Sequence, residues 1–160
     1  MRKSVIGFLI SVLLIFTTLS GVADGGSDIY GNYEYQNLFF LSLLSSSTWD
    51  YHQEQMQHTR VTIECDLFSV ADGNFRVIDP VYEKQEMDPS QMDAFKRAIW
   101  TTDDNVPIFP DFRYMVLDAI GNKVGYYLYT SGNTLWIAKY VDNTNQNQDV
   151  ITYIYSLEKR

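Results

Sequence analysis

Cysteine is nearly missing from this chain, and that limits how the fold can be stabilised. Cys65 is the single cysteine among 160 residues, so no disulfide can form within the chain. Small secreted proteins often depend on disulfides, whereas this chain has to depend on a hydrophobic core. Its hydrophobic residues, 46% of the total, and its aromatic residues, 15%, are enough for such a core.

Basic residues are also few. The chain has 12 lysines and arginines against 20 aspartates and glutamates, which gives a net charge of −8. A surface of this sign repels nucleic acids and anionic lipids, so we expect neither as a partner. Two interpretations of the acidity stay open: it keeps the protein soluble, or it attracts a basic partner.

The residues that usually carry metal or nucleotide chemistry are sparse as well. His52 and His58 are the only histidines, and their spacing places them on nearly opposite sides of a helix. No HExxH or CxxC spacing, calcium-loop pattern or glycine-rich phosphate loop occurs. A G-x-S-x-G nucleophile turn is missing too. The sequence therefore predicts no metal site and no cofactor.

A long apolar run occurs only at the N-terminus. Arg2 and Lys3 precede the mostly apolar residues 5–19, a run shorter than the roughly 20 residues that a membrane-spanning helix needs. The small residues of 21–23 then fit a signal-peptidase site before Asp24. The pattern is typical of a cleaved signal peptide, and the alternative is an uncleaved anchor.

On this interpretation the chain has three parts. Residues 1–23 are the signal peptide, 24–32 are a flexible glycine-rich leader, and 33–160 form a single α+β domain. Because a signal peptide directs a protein out of the cytoplasm, we expect the domain to be secreted or held in the cell envelope. No second apolar stretch is long enough to span a membrane, so we expect no membrane attachment after cleavage.

Two segments carry the signals of short helices. The first is 48–58, where Ser47 is predicted to cap the start. The second is 89–100, where Asp88 caps the start and Pro89 takes the first helical position. The apolar stripe of the second helix, which we expect to face a sheet, consists of Met92, Phe95 and Ile99.

Seven further segments are predicted as strands because their apolar residues alternate or form short runs. They are 33–44, 60–65, 75–83, 112–118, 123–130, 134–141 and 150–157. Gly-Asn pairs between the later segments favour tight hairpin turns, and Pro80 indicates an edge or a break in the third segment. The predicted fold is α+β: a mainly antiparallel twisted sheet with two short helices, in the order β-α-β-β-α-β-β-β-β, ending in a four-strand meander.

Three stretches of the chain carry a resemblance. The runs FLSLLSSSTWDY and TIECDLFSV, and the ending with GYYLY, LWIAKYVDNT and ITYIYSLEK, are similar to a family of small exported proteins of Gram-positive bacteria, known as a domain of unknown function. The likeness covers most of residues 34–158. It implies a bacterial, extracytoplasmic origin and a shared fold, and it implies no activity or site residues.

Aromatic residues in the predicted meander form the main candidate site. Tyr127, Tyr129, Trp136 and Tyr140 alternate with an aliphatic set on the same strands, so the two sets lie on opposite faces. If the aliphatic set faces the helices, the aromatic set is exposed and suited to gripping a peptide or a sugar. The alternative is that these rings pair across the strands or form a second core.

Cys65 supports a second hypothesis. A thiol beside His52 or His58 would form a nucleophile pair, whereas the simpler interpretation is that a lone cysteine packs inside the protein. Two functions therefore stay open. One is an exported, non-enzymatic binding or accessory module at the cell envelope, with a protein, peptide or glycan partner. The other is a small extracytoplasmic cysteine-dependent hydrolase.

Overall fold

The computed structural model describes residues 26–70, 74–100, 105–143 and 148–160. The predicted signal peptide at 1–23 lies outside this part of the chain. The described fold begins at Gly26, earlier than the boundary predicted at residue 33. A 3₁₀ turn, Ser27–Ile29, precedes the first strand, and its last residue is buried. The residues predicted as a flexible leader therefore contribute to packing from Gly26 onward.

Within these residues, nine strands form one antiparallel sheet. The strands are β1 Gly31–Leu41, β2 Arg60–Ile63, β3 Leu67–Val70, β4 Phe75–Ile78, β5 Val81–Glu86, β6 Phe112–Leu117, β7 Lys123–Ser131, β8 Thr134–Asn143 and β9 Gln148–Lys159. Their order across the sheet is β4-β3-β2-β1-β9-β8-β7-β6-β5. Strands that follow one another in sequence therefore pair with one another, apart from β4 and β5, which form the two edges of the sheet. The first and last strands, β1 and β9, pair in its middle.

Two short helices accompany the sheet in the described ranges. Helix α1, Trp49–Tyr51, continues as a π-helical segment, His52–Met56. Helix α2 is Pro89–Ala98, and Asp88 caps it as predicted by accepting a hydrogen bond from the Gln91 N–H at 2.8 Å. The predicted cap of the first helix is wrong, because Thr48 rather than Ser47 accepts the bond from the Tyr51 N–H. No helix in the described part of the chain is long and apolar enough to cross a membrane.

The prediction of a sheet-dominated fold with two short helices is confirmed, but the element order differs. Strand β3 was not predicted, and the segment 75–83 divides into β4 and β5. The division falls at Asp79 and Pro80, because proline has no N–H for a ladder bond and Asp79 adopts a left-handed φ of 49°. Pro80 thus lies at the break between β4 and β5, the two edge strands of the sheet.

The sheet curves into a half-barrel. Phe68 of β3 lies 5.4 Å from Tyr126 of β7 and 6.5 Å from Tyr82 of β5, measured between ring centroids. Strands near opposite ends of the sheet therefore meet across its concave side. All nine strands contribute to this concave core, through residues that include Tyr35, Val61, Phe68, Val77, Tyr82, Tyr114, Leu128, Ile137 and Tyr155.

A second core lies on the convex side of the sheet. Helix α2 and the segment 105–108 cover this face with Phe95, Ile99, Val106 and Ile108. The sheet contributes Tyr127, Tyr129, Trp136, Ala138, Tyr140, Ile151 and Ile154. The aliphatic set of the meander faces the concave core instead. The aromatic set thus lies in the core that the helix shares, contrary to the arrangement that would have left these rings exposed.

Candidate functional site

The four aromatic residues predicted as a binding surface are buried. All four, Tyr127, Tyr129, Trp136 and Tyr140, lie in the convex core, to which α2 contributes Phe95. The rings of Tyr127 and Tyr140 stack at 4.2 Å, and Phe95 of the helix meets Tyr129 at 5.2 Å. The expectation that this face is open to a partner is therefore wrong, because the helix packs on the tyrosines. The alternative of cross-strand aromatic pairs inside a second core is confirmed.

Cys65 is also placed differently from the simpler interpretation. It is exposed in the turn between β2 and β3, so it does not pack inside the protein. His52 is buried against Tyr155, and His58 is exposed with its Nδ1 3.5 Å from Glu34. Among the residues that the structure describes, no hydrogen bond joins Cys65 to a histidine. The geometry thus brings together no thiol–imidazole pair there.

Metal-binding side chains are not clustered either. Within the described ranges, no group of three or more histidine, cysteine, aspartate or glutamate side chains lies close enough to hold a metal ion. The features that remain are therefore surfaces and clefts.

An apolar groove lies beside the C-terminal end of α2. Its volume is about 420 Å³, and three separate segments form it: the end of β1 with the following loop, the end of α2, and the segment around Pro107. The lining residues are Phe39, Phe40, Leu41, Ser42, Leu43, Ile99, Trp100, Asn105 and Pro107. We call this surface the α2 groove.

Irregular pairing of β1 with β9 explains how side chains of one strand reach the concave core, the convex core and the α2 groove. The register shifts between Tyr35 and Leu38 and again between Leu38 and Phe40. Because a bulge changes which way the following side chains point, Leu38 packs on the concave core and Phe40 on the convex core. Phe39 lies between them, 40% exposed, with its ring edge against Trp136 at 6.5 Å. The bulged strand thus presents Phe39 at the groove.

Trp100 forms the opposite wall and has a strained backbone. Helix α2 ends at Ala98, Ile99 is its C-cap, and Trp100 follows with a left-handed φ of 53°. Its N–H donates to the Arg97 carbonyl at 3.1 Å, which closes the helix end. Glycine is the usual residue here, since a side chain in the left-handed region is strained. The side chain of Trp100 is nevertheless 57% exposed.

Among the residues that the structure describes, the lining of the α2 groove carries no charge. All nine lining residues are uncharged, and the segment 35–49 that supplies five of them has no charged residue at all. By contrast, 20% of the residues in the chain are charged. Leu43 is fully exposed at the rim. Contiguous exposed apolar surface of this kind is typical of binding sites for other molecules.

Two features of the sequence indicate this groove, although neither belongs to the pattern of a strand or a helix. One is the long uncharged run of 35–49, whose apolar residues exceed what one strand face can bury. The other is Trp100 directly after a helix end, where glycine is expected.

Comparison of the chain with models of protein families, with curated proteins and with solved structures finds no match.

Proposed function

We propose that this protein is an exported, non-enzymatic binding module of the cell envelope, and that the α2 groove binds an apolar segment of a protein or peptide. The observation that carries the proposal is the convergence of Phe39, Leu43 and Trp100. They come from separate parts of the chain, are exposed, and line one groove whose described residues carry no charge. Large apolar and aromatic side chains of this kind supply most of the affinity in protein interfaces.

The strain at Trp100 supports a role in binding rather than in folding. A left-handed backbone costs roughly 1–2 kcal/mol for a residue with a side chain, and glycine at this position would avoid that cost. A bulky side chain at such a position is consistent with a functional constraint. The indole ring is mostly outside the core, so its contribution to packing is small.

A peptide suits the groove better than a glycan. Sugar recognition requires several hydrogen-bonding groups around an aromatic ring, whereas the described lining offers only the side chains of Ser42 and Asn105 and the indole N–H of Trp100. Apolar side chains of an extended or helical segment need no such partners. The two exposed rings and Leu43 can enclose them and exclude water.

Trp100→Gly is the variant that separates binding from folding. We expect its free energy of unfolding to stay within about 1 kcal/mol of wild type, because relief of backbone strain offsets the lost ring contacts. A random peptide library selected on the wild-type protein should yield peptides rich in large apolar residues. Their affinity for Trp100→Gly, measured by calorimetry, should fall roughly 30-fold or more.

Ile120→Ser is the matched control. Ile120 is 85% exposed, between Trp100 at 57% and Leu43 at 102%, and lies in the turn between β6 and β7, outside the groove. This variant should bind the selected peptides as wild type does. Peptides that bind Trp100→Gly with unchanged affinity would contradict the assignment of the groove.

A further inference from the structure

A polar cleft lies on another side of α2, distinct from the α2 groove. It has a volume of about 270 Å³ and separates the last turns of the helix from strands β6, β7 and β9. Arg97 lines it from the helix, and Arg113, Tyr127, Tyr129, Gln148 and Asp149 line it from the sheet. Two guanidinium groups and one carboxylate thus face a small space beside two tyrosine rings.

The carboxylate of this cleft already has partners. Asp149 accepts hydrogen bonds from the Lys123 ammonium, at 3.0 and 3.2 Å, and from the Tyr127 hydroxyl. Its side chain is only 15% exposed. Burial, together with the bond to Asp149, raises the pKa of Tyr127, so this hydroxyl stays protonated and donates. The negative charge of Asp149 is therefore compensated inside the protein.

Arg113, in contrast to Asp149, is held by uncharged partners. Its guanidinium lies 4.8 Å from the centre of the Tyr127 ring and donates through Nη2 to the side-chain oxygen of Gln85. Within the part of the chain that the structure describes, no carboxylate lies within 4 Å of it. The group is half-buried, and partial removal of a cation from water without an anionic partner costs free energy. The neutral amide of Gln85 and the face of Tyr127 orient the guanidinium, and neither of them carries a compensating charge.

Arg97 adds a second cation to the same cleft. It lies in the last turn of α2, is exposed, and has no carboxylate partner among the described residues. Lys123 and Asp149 neutralise each other, so among the described residues of the cleft the two arginines leave an excess of positive charge. The chain as a whole carries a net charge of −8. A local positive excess on an acidic protein concentrates anions at that point.

We infer that this cleft is a binding site for a small ligand that carries a carboxylate. A guanidinium offers parallel N–H groups in one plane, which match the two oxygens of a carboxylate. Arg113 is held for this contact by Gln85 and Tyr127, and Arg97 approaches from the helix. The tyrosine rings form an apolar wall for the body of the ligand. The volume of about 270 Å³ admits a ligand of the size of a small organic acid.

The test is an NMR titration of the full chain with acetate, benzoate, inorganic phosphate and sulfate, at constant ionic strength with chloride. We expect acetate and benzoate to shift the Arg113 side-chain Nε–H and the Tyr127 and Tyr129 amides in a saturable way. Arg113→Gln should weaken binding roughly 10- to 100-fold. Arg113→Lys, which keeps the charge but loses the planar pair of donors, should give an intermediate loss.

Two further variants keep the test decisive. Arg97→Gln changes an exposed side chain, so it leaves the fold intact and should still weaken benzoate binding several-fold. Arg76→Gln alters an exposed arginine on β4, outside the cleft, and should change nothing. The inference is overturned if neither carboxylate shows saturable shifts, or if Arg113→Gln and Arg97→Gln bind as wild type does. Tighter binding of phosphate or sulfate than of both carboxylates would overturn the assignment of the ligand class.

Discussion

At the scale of single residues, His52 shows how burial fixes a protonation state. The Tyr155 hydroxyl donates to the His52 carbonyl at 3.0 Å, and His52 Nδ1 lies 2.8 Å from the same hydroxyl oxygen. The hydroxyl has one proton for these two contacts, so the tautomer of the neutral ring decides whether Nδ1 donates or accepts. Nε2 is buried with no hydrogen-bond partner within the described ranges, so a charged imidazolium would bury an unpaired N–H.

This arrangement predicts a pH dependence of stability. Burial lowers the pKa of His52 below its ordinary value of 6.5, so the unfolded chain takes up a proton at a higher pH than the folded one. Stability from this residue is complete above about pH 6.5 and is lost as the pH falls below that value. Chemical denaturation at pH 7.5 and 5.5 should show a larger loss for wild type than for His52→Asn.

The asparagine variant retains an N–H near the position of Nδ1 but does not titrate. Carboxylates affect both proteins alike, so they cancel in the comparison. Equal losses in the two proteins between these pH values would show that His52 does not titrate differently in the folded and unfolded states.

At the scale of elements, helix α2 follows its sequence closely. Its cap and first turn form as predicted, and the stripe of Met92, Phe95 and Ile99 faces the sheet. The helix ends at Ala98, two residues before the predicted end, so Trp100 is left outside it. Local signals were sufficient here because caps and apolar spacing act within one or two turns.

Phe95→Ala is expected to lower the free energy of unfolding by about 3–5 kcal/mol, as for a large aromatic residue removed from a core. Phe95 is 3% exposed and meets Tyr129 in the middle of the convex core. Urea denaturation measures the change. Asp93→Ala, on the exposed side of the same helix, should stay within about 0.5 kcal/mol. A loss below about 1 kcal/mol for Phe95→Ala would contradict the packing described for α2.

At the scale of the whole molecule, the N-terminal segment of the described fold packs against strands β5 and β6. Asp28 accepts hydrogen bonds from the Lys84 ammonium at 2.8 Å and from the Tyr114 hydroxyl at 2.6 Å. Lys84 and Tyr114 belong to β5 and β6. A cut before Asp24 would leave all of these contacts in place. The proposed export of the protein is therefore compatible with the fold that remains.

We predict that protein recovered from outside the cytoplasm begins at Asp24, because small residues occupy the two positions that signal peptidase recognises. N-terminal sequencing or intact mass measurement identifies the first residue. A chain that still begins with Met1 would mean that residues 5–19 act as an anchor, and the protein would then be attached to a membrane.

The sequence by itself determined the sheet-rich class, most strand positions, the second helix and its buried stripe. These features depend on alternation, caps and turn residues, which act between neighbours in the chain. Alternation also showed correctly that Tyr127 and Leu128 lie on opposite faces. It did not show which face α2 covers, because that depends on the curvature of the whole sheet.

Only the tertiary structure decided the two candidate sites. The α2 groove requires β1, the end of α2 and the segment near Pro107 to meet, and the polar cleft requires α2 to lie over three strands. Bulges in β1 and the left-handed backbone of Trp100 place the groove side chains, and neither follows from apolar periodicity. Because the sheet curves, its own side chains fill the concave side, whereas α2 packs on the convex side. Contacts between distant segments, rather than local propensity, therefore made the tyrosines a core and left the groove open.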